Sequence, residues 1–180
     1  KGEEYVLLAF RTVHKNHPDG EALKLLDMIL DNATAGLINL NLNQQQKVRR
    51  AGSYPFQLND YGAQFLYGVP KKGQTLVEVE QLLLGQLSLI KEGEFEDWIL
   101  PAIVTDFKKS QKSRFESNTG RVRFMSDVFI GYRNWDAAIG EIGRMEKVTK
   151  EDVVRVANTY FDENYVAGYR VDEQQDIPKV

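Results

Sequence analysis

Strand-like and helix-like segments are sorted along this chain and do not alternate, and that order restricts the fold more than any single motif. Residues 5–13 form a nearly continuous apolar run, the pattern of a strand buried on both faces. Pro18-Asp19-Gly20 breaks the run, after which Leu23, Leu26, Ile29 and Leu30 recur at helical spacing over 21–32. A short second helix is predicted over 37–46, beyond the breaker Gly36. Two strand-rich runs, 48–58 and 61–69, come next, with Asn59-Asp60 as the hairpin turn between them.

Thr75-Leu76-Val77-Glu78 has capping-box spacing: the threonine hydroxyl accepts from the third helical amide while the glutamate reaches back. The helix it opens turns Leu76, Val79, Leu82, Leu83, Leu87 and Ile90 inward and stops near Gly93. A long helix is predicted from 94 to about 115, with a kink or a later start imposed by Pro101. Further helices are predicted over 122–132 and 135–144, and one capped at Thr149 runs to 161. Residues 166–171 close as a strand. A doubly wound sheet requires strands and helices in alternation. This order predicts an α+β domain instead, a mostly antiparallel sheet with helices packed on one face.

The 180 residues leave room for one domain with a sizeable core, read as a single α+β domain over 1–171. The remainder, 172–180, is polar, carries Pro178 and has the composition of a linker to a next domain. A chain that opens in a strand and closes in a linker is expected to be a piece of a longer polypeptide. No apolar run approaches the roughly 18–20 residues of a membrane span, so none is expected. A net charge of −3 gives no overall attraction for a polyanion, and no nucleic-acid partner is expected. With no cysteine, disulfides, thiolate metal sites, iron–sulfur clusters and a cysteine nucleophile are excluded.

Little else in the chain points to chemistry. His14 and His17 are the two histidines, and a pair three residues apart could face one metal ion. Zinc needs three or four ligands, however, and the nearest acids, Asp19 and Glu21, lie beyond the break, so the pair reads as solvated loop histidines. Lys108, Lys109, Lys112 and Arg114, with Arg121 and Arg123, make a locally basic stretch that reads as a solvated helix face. Tyr61, Phe65 and Tyr67 alternate, as on one face of a half-buried strand; the other reading is a stacking platform for bases. The glycines form no phosphate-cradling pattern, and no nucleophile elbow occurs. No catalytic, metal-ligating or substrate-binding residue is assigned in this chain.

The succession of segments carries more information than the motifs do. An apolar strand leads to Asp19-Gly20-Glu21-Ala22-Leu23-Lys24-Leu25-Leu26, then to Ala35-Gly36-Leu37-Ile38-Asn39-Leu40. The strand pair Ala51-Gly52-Ser53-Tyr54-Pro55-Phe56 and Asp60-Tyr61-Gly62-Ala63-Gln64-Phe65 then feeds the capped helix at Thr75. From residue 5 to 180 this resembles a non-catalytic domain of the insulinase/pitrilysin zinc metallopeptidases, a family that includes mitochondrial processing peptidase. The likeness is to the second domain of long bacterial members, and Ile177-Pro178-Lys179-Val180 resembles the start of their interdomain linker.

The resemblance implies a supporting wall of a peptide-enclosing chamber in a zinc metalloendopeptidase. Its partners would be a catalytic domain of the same polypeptide and the peptide substrate in the shared chamber. Zinc would sit in that catalytic domain and no cofactor in this piece. A bacterial cell-envelope or periplasmic location follows from the likeness alone. Family members bind zinc through His-x-x-Glu-His on a helix, a motif that His14 and His17 cannot supply. They also touch substrate with an Arg and a Tyr. Arg49, Arg50, Tyr54 and Tyr61 are of the right types, but none aligns with that pair. The alternative reading is a catalytically inactive scaffold or binding subunit of the same fold; an autonomous peptide- or nucleic-acid-binding module is a third.

Overall fold

The computed structural model describes residues 2–32 and 35–172. Four segments pair antiparallel: β1 (Tyr5–Val13), β2 (Arg50–Gln57), β3 (Tyr61–Val69) and β4 (Tyr165–Arg170). They lie side by side in the order β2-β3-β1-β4. The helices are α1 (Gly20–Leu30), α2 (Leu76–Lys91), α3 (Ile99–Glu116), α4 (Asn118–Ile130), α5 (Trp135–Ile139), α6 (Glu141–Met145) and α7 (Lys150–Tyr160). The α+β architecture with a sheet covered by helices on one face is the one the segment order predicts. Of the linker read at 172–180, all but Asp172 lies outside the described residues.

The core forms where that sheet face meets α1, α2 and α7. Val6, Leu8 and Phe10 of β1 and Leu66 of β3 point into it, meeting Leu26 and Ile29 of α1, Val79 and Leu83 of α2, and Val153 and Val156 of α7. Each fully buried side chain of this size contributes about 1.5–3 kcal/mol. Phe10 also packs its ring against Phe161 and Tyr165, with centroids 5.2 and 5.0 Å away. Gly68 sets how close α2 can come, because a Cβ there would lie 2.3 Å from Val79 Cγ1. Both capping boxes form, at Thr75 with Glu78 and at Thr149 with Asp152.

Four local expectations are corrected, and of the two alternatives at Pro101 the later start holds. β1 is buried on one face only: Val6, Leu8, Phe10 and Thr12 are covered, while Tyr5, Leu7 and Ala9 are half-buried and Arg11 is exposed. Residues 37–46 do not form a regular second helix; the chain makes a π-helical turn over Asn39–Asn43. The long helix starts late, at Ile99, so that Pro101 falls in its first turn, where no amide needs a helical partner and no kink is required. The helix expected from 122 begins at Asn118, capped by the Ser117 hydroxyl. The one expected over 135–144 breaks at Gly140 into α5 and α6.

Charged side chains tie the helices to one another. Asp19, between β1 and α1, accepts from Arg155 at 2.7 Å and from the Tyr160 hydroxyl at 2.6 Å, which fastens α1 to α7. The Arg155 hydrogen bond, aided by Tyr160, outweighs burial and holds the Asp19 carboxyl below its usual range. Burial and the bond to Asp19 push the Tyr160 phenol up to about 12. Glu141 of α6 accepts from Lys24 of α1 and, at 3.1 Å, from Arg133. Burial would raise its carboxyl, but the two cations prevail and lower it. Asp27 of α1 has no ion-pair partner among the described residues: it accepts from Ser53 Oγ at 2.8 Å and from Gln64 Nε2, and burial raises its carboxyl.

The two edges of the sheet differ. Along β2 the outward amides of Ala51 and Ser53 donate to Asn43 Oδ1 and Asp31 Oδ2, both at 2.8 Å, and Asn43 Nδ2 returns a bond to the Ala51 carbonyl. At the next outward position stands Pro55, which has no amide to offer, so β2 is closed to a further strand. On β4, Glu80 of α2 accepts from the hydroxyls of Tyr165 (2.8 Å) and Tyr169 on the core side and leaves the outer backbone edge alone.

Two variants test these ties. Glu141→Ala strands Lys24 and Arg133, whose side chains are 25% and 16% exposed. A loss of about 2–3 kcal/mol in chemical denaturation is expected, just under the range for a fully buried pair. Asp27 is more readily protonated folded than unfolded, so its contribution is fully present below the usual value of 3.8 and is lost as pH rises through the folded value. Asp27→Asn keeps the Oδ1 acceptor without the charge. It should melt above the parent at pH ~7 and lose that advantage below pH ~4.

Candidate functional site

None of the described helices lies upon the second face of the sheet. Cross-strand pairing gathers aromatic side chains there: Tyr54 lies opposite Phe65, with stacked rings 5.2 Å apart, and Tyr67 and Phe56 flank them at 6.5 Å. Leu7 and Ala9 of β1 continue the surface toward β4. Tyr54, Phe56 and Tyr61 remain 45%, 53% and 57% exposed. On an ordinary surface such side chains occur singly; here they are contiguous.

Arginines border this apolar centre. The Arg11 guanidinium sits 4.0 Å above the Tyr61 ring, Arg50 lies 5.7 Å from Tyr67, and Arg170 lies 5.8 Å from Tyr5. Each is an Arg–aromatic contact worth about 0.5–1 kcal/mol at an exposed position. None of the four strands contains Asp or Glu. At one margin Glu3 reaches Arg49 at 2.8 Å and Arg50 at 3.6 Å. The face is thus apolar at its centre and cationic at its margins. It can bury surface against a partner, but it holds no paired acid and base.

The residues singled out in the sequence scatter accordingly. Tyr61, Phe65 and Tyr67 do share one face of a half-buried strand, together with Arg50 and Tyr54, while Arg49 lies at the margin. Sequence reasoning missed Arg11 and Phe56, although the two-residue turn at Asn59-Asp60 fixes the pairing that unites Tyr54 with Phe65. Lys108, Lys109, Lys112, Arg114, Arg121 and Arg123 are all exposed on α3 and α4; Lys108 pairs with Glu146 and Lys109 with Asp106.

The histidines do not fit a zinc ion. Their rings meet edge to face with centroids 5.6 Å apart. His14 Nδ1 accepts from the Asn16 amide at 3.2 Å and His17 Nδ1 from the Asp19 amide at 3.1 Å. Among the described residues, no group of three or more His, Cys, Asp and Glu is placed to hold a metal. Likewise no described helix is long and apolar enough to cross a membrane.

Comparison with known proteins follows the same lines. The family model described as the peptidase M16 inactive domain matches residues 2–106. No curated protein matches in sequence. Among solved structures, a protease from Helicobacter pylori superposes with a TM-score of 0.86 at 20% identity, covering 93% of this chain and 41% of that one. The inactive peptidase domain of a Bordetella parapertussis protein assigned as a zinc protease gives 0.80 at 16% identity, covering 98% of both chains. The periplasmic protease PqqL from Escherichia coli gives 0.73 at 14% identity, covering 96% of this chain and 19% of that one. The chain therefore spans less than half of the Helicobacter protease. At these identities the likeness establishes the fold.

If the bare face lies outside the core, adjacent strand positions must differ sharply in what they contribute. Phe56→Ser should change the stability of the isolated chain by no more than about 0.5–1 kcal/mol. Leu66→Ala, on the covered face, should remove about 3 kcal/mol. Equal losses in urea titration would place both faces in the core.

Proposed function

We propose, because this chain belongs to the peptidase M16 inactive-domain family, that it is the supporting domain of a zinc metalloendopeptidase whose catalysis resides in another domain of the same polypeptide. The observation that carries this reading is the bare sheet face, an aromatic surface with a cationic margin and no catalytic group. A sheet face of this composition is stable in water only at some expense, and layered domains bury such faces against a second layer. The catalytic neighbour is the partner that would supply that layer. The chain's span of 41% of the Helicobacter protease is consistent with a polypeptide that has room for such a neighbour.

In this arrangement the domain contributes rigidity and part of the wall of a chamber that admits extended peptides. Zinc-bound water would be activated in the neighbouring domain. Among the described residues both imidazoles accept from backbone amides, and no group of three or more His, Asp and Glu is placed to hold a metal, so the reading assigns the ligands of that step to the neighbour.

Translation of the gene on either side of this segment should reveal an in-frame His-x-x-Glu-His with a more distant Glu. A complete polypeptide lacking that motif would favour the inactive scaffold instead. In the full-length protein, Tyr54→Asp with Phe65→Asp should loosen the domain from its neighbour. The expected readout is faster limited proteolysis between the two and a fall of about tenfold in kcat/KM, with zinc content unchanged. Unaltered proteolysis and activity would remove the bare face from the interface.

A further inference from the structure

A second surface feature lies in the helical layer, where it does not depend on the reading above. After α2 the chain reverses at Gly93, whose φ of 72° is open to glycine, and Glu94-Phe95-Glu96-Asp97-Trp98 returns across the helix end. Phe95 is buried and anchors this loop, whereas Trp98 is 58% exposed. Leu40 of the π-helical turn, itself 37% exposed, faces the loop across a groove of about 840 Å³, with Leu89 and Ile99 also in its lining. That volume is within the range of ligand-binding clefts, and an exposed tryptophan is the residue type that most often anchors a binding partner.

The charge of the rim is one-sided. Lys150 donates to the Phe95 carbonyl at 2.7 Å and to Asp97 Oδ1 at 2.8 Å, so it neutralises Asp97 and is itself occupied. Glu94 and Glu96 are exposed and have no ion-pair partner among the described residues. An apolar groove beside two uncompensated carboxylates repels an acidic ligand and leaves a neutral one without polar partners.

We propose that this groove docks a cationic apolar peptide segment, in which a bulky aliphatic or aromatic side chain is flanked by Lys or Arg. The apolar side chain lies against Trp98 and Leu40, and its flanking cations lie beside Glu94 and Glu96. Arg121-Val122-Arg123 on α4 has the same chemistry, with Val122 61% exposed, so a second copy of the chain is the competing occupant.

The test uses the whole chain carrying Trp135→Phe, which leaves Trp98 as the one tryptophan. A blocked peptide of alternating Leu and Arg is titrated in, against a counterpart of alternating Leu and Glu. The Leu–Arg peptide should shift Trp98 emission to the blue in a saturable, salt-sensitive manner. Affinity should fall about tenfold in Glu94→Gln/Glu96→Gln, and the far-ultraviolet circular dichroism should not change. Equal shifts with both peptides, or no shift, overturn the proposal. It is also overturned by sedimentation showing that the chain self-associates without peptide and buries Trp98 in doing so.

Discussion

A sheet has two faces, and the described helices cover one. Most of what distinguishes the molecule depends on that asymmetry. Helices α1, α2 and α7 cover Val6, Leu8, Phe10 and Leu66, and the hydrophobic effect is concentrated in that single layer interface. The same pleat that turns these residues inward turns Tyr5, Leu7, Phe65 and Tyr67 away from every helix. The aromatic surface is the unavoidable reverse of the core, and its border of arginines keeps it wettable while leaving its centre apolar.

Ionisable groups follow the same division. Asp19, Glu21, Asp27, Glu80 and Glu141 are committed to joints between helices or between helix and sheet. Where a cation stands opposite, as at Asp19 and Glu141, the carboxyl is held low; where only Ser53 and Gln64 are available, as at Asp27, burial lifts it. Perturbed groups often mark catalytic sites, but here each perturbation is accounted for by a structural contact. This agrees with membership in a family of inactive peptidase domains.

Much of the fold could be read from residue order. The hairpin turn at Asn59-Asp60 and the boxes at Thr75 and Thr149 are local chemistry, and all three stand as expected. The likeness to a non-catalytic insulinase/pitrilysin domain rested on that order as well, and the family match bears it out. What the sequence concealed was non-local. The apolar run at β1 has the composition of a strand covered on both sides, and whether a second layer exists cannot be told from one strand. Asn43 and Asp31 look like turn residues, yet their side chains seal β2. Arg11 reads as an odd charge in an apolar run until Tyr61 is seen beneath it. The sequence therefore shows one row of the bare face, Tyr61, Phe65 and Tyr67, but not the cross-strand neighbours Arg11 and Phe56 that complete it.

The pairing of Tyr5 with Arg170 has a mechanical consequence. β1 enters the sheet and β4 leaves it as antiparallel neighbours, so the ends of the described chain emerge side by side, and the Asp172 amide bonds to Glu4 at 3.1 Å. Tension between these ends would load the β1–β4 ladder one rung at a time, as a zipper, and would not shear all rungs together. Resistance to such a pull falls first on β4, held from below by the two tyrosine hydroxyls on Glu80. A pull on these ends is then absorbed by peeling one edge strand while the remaining sheet and its helices stay folded.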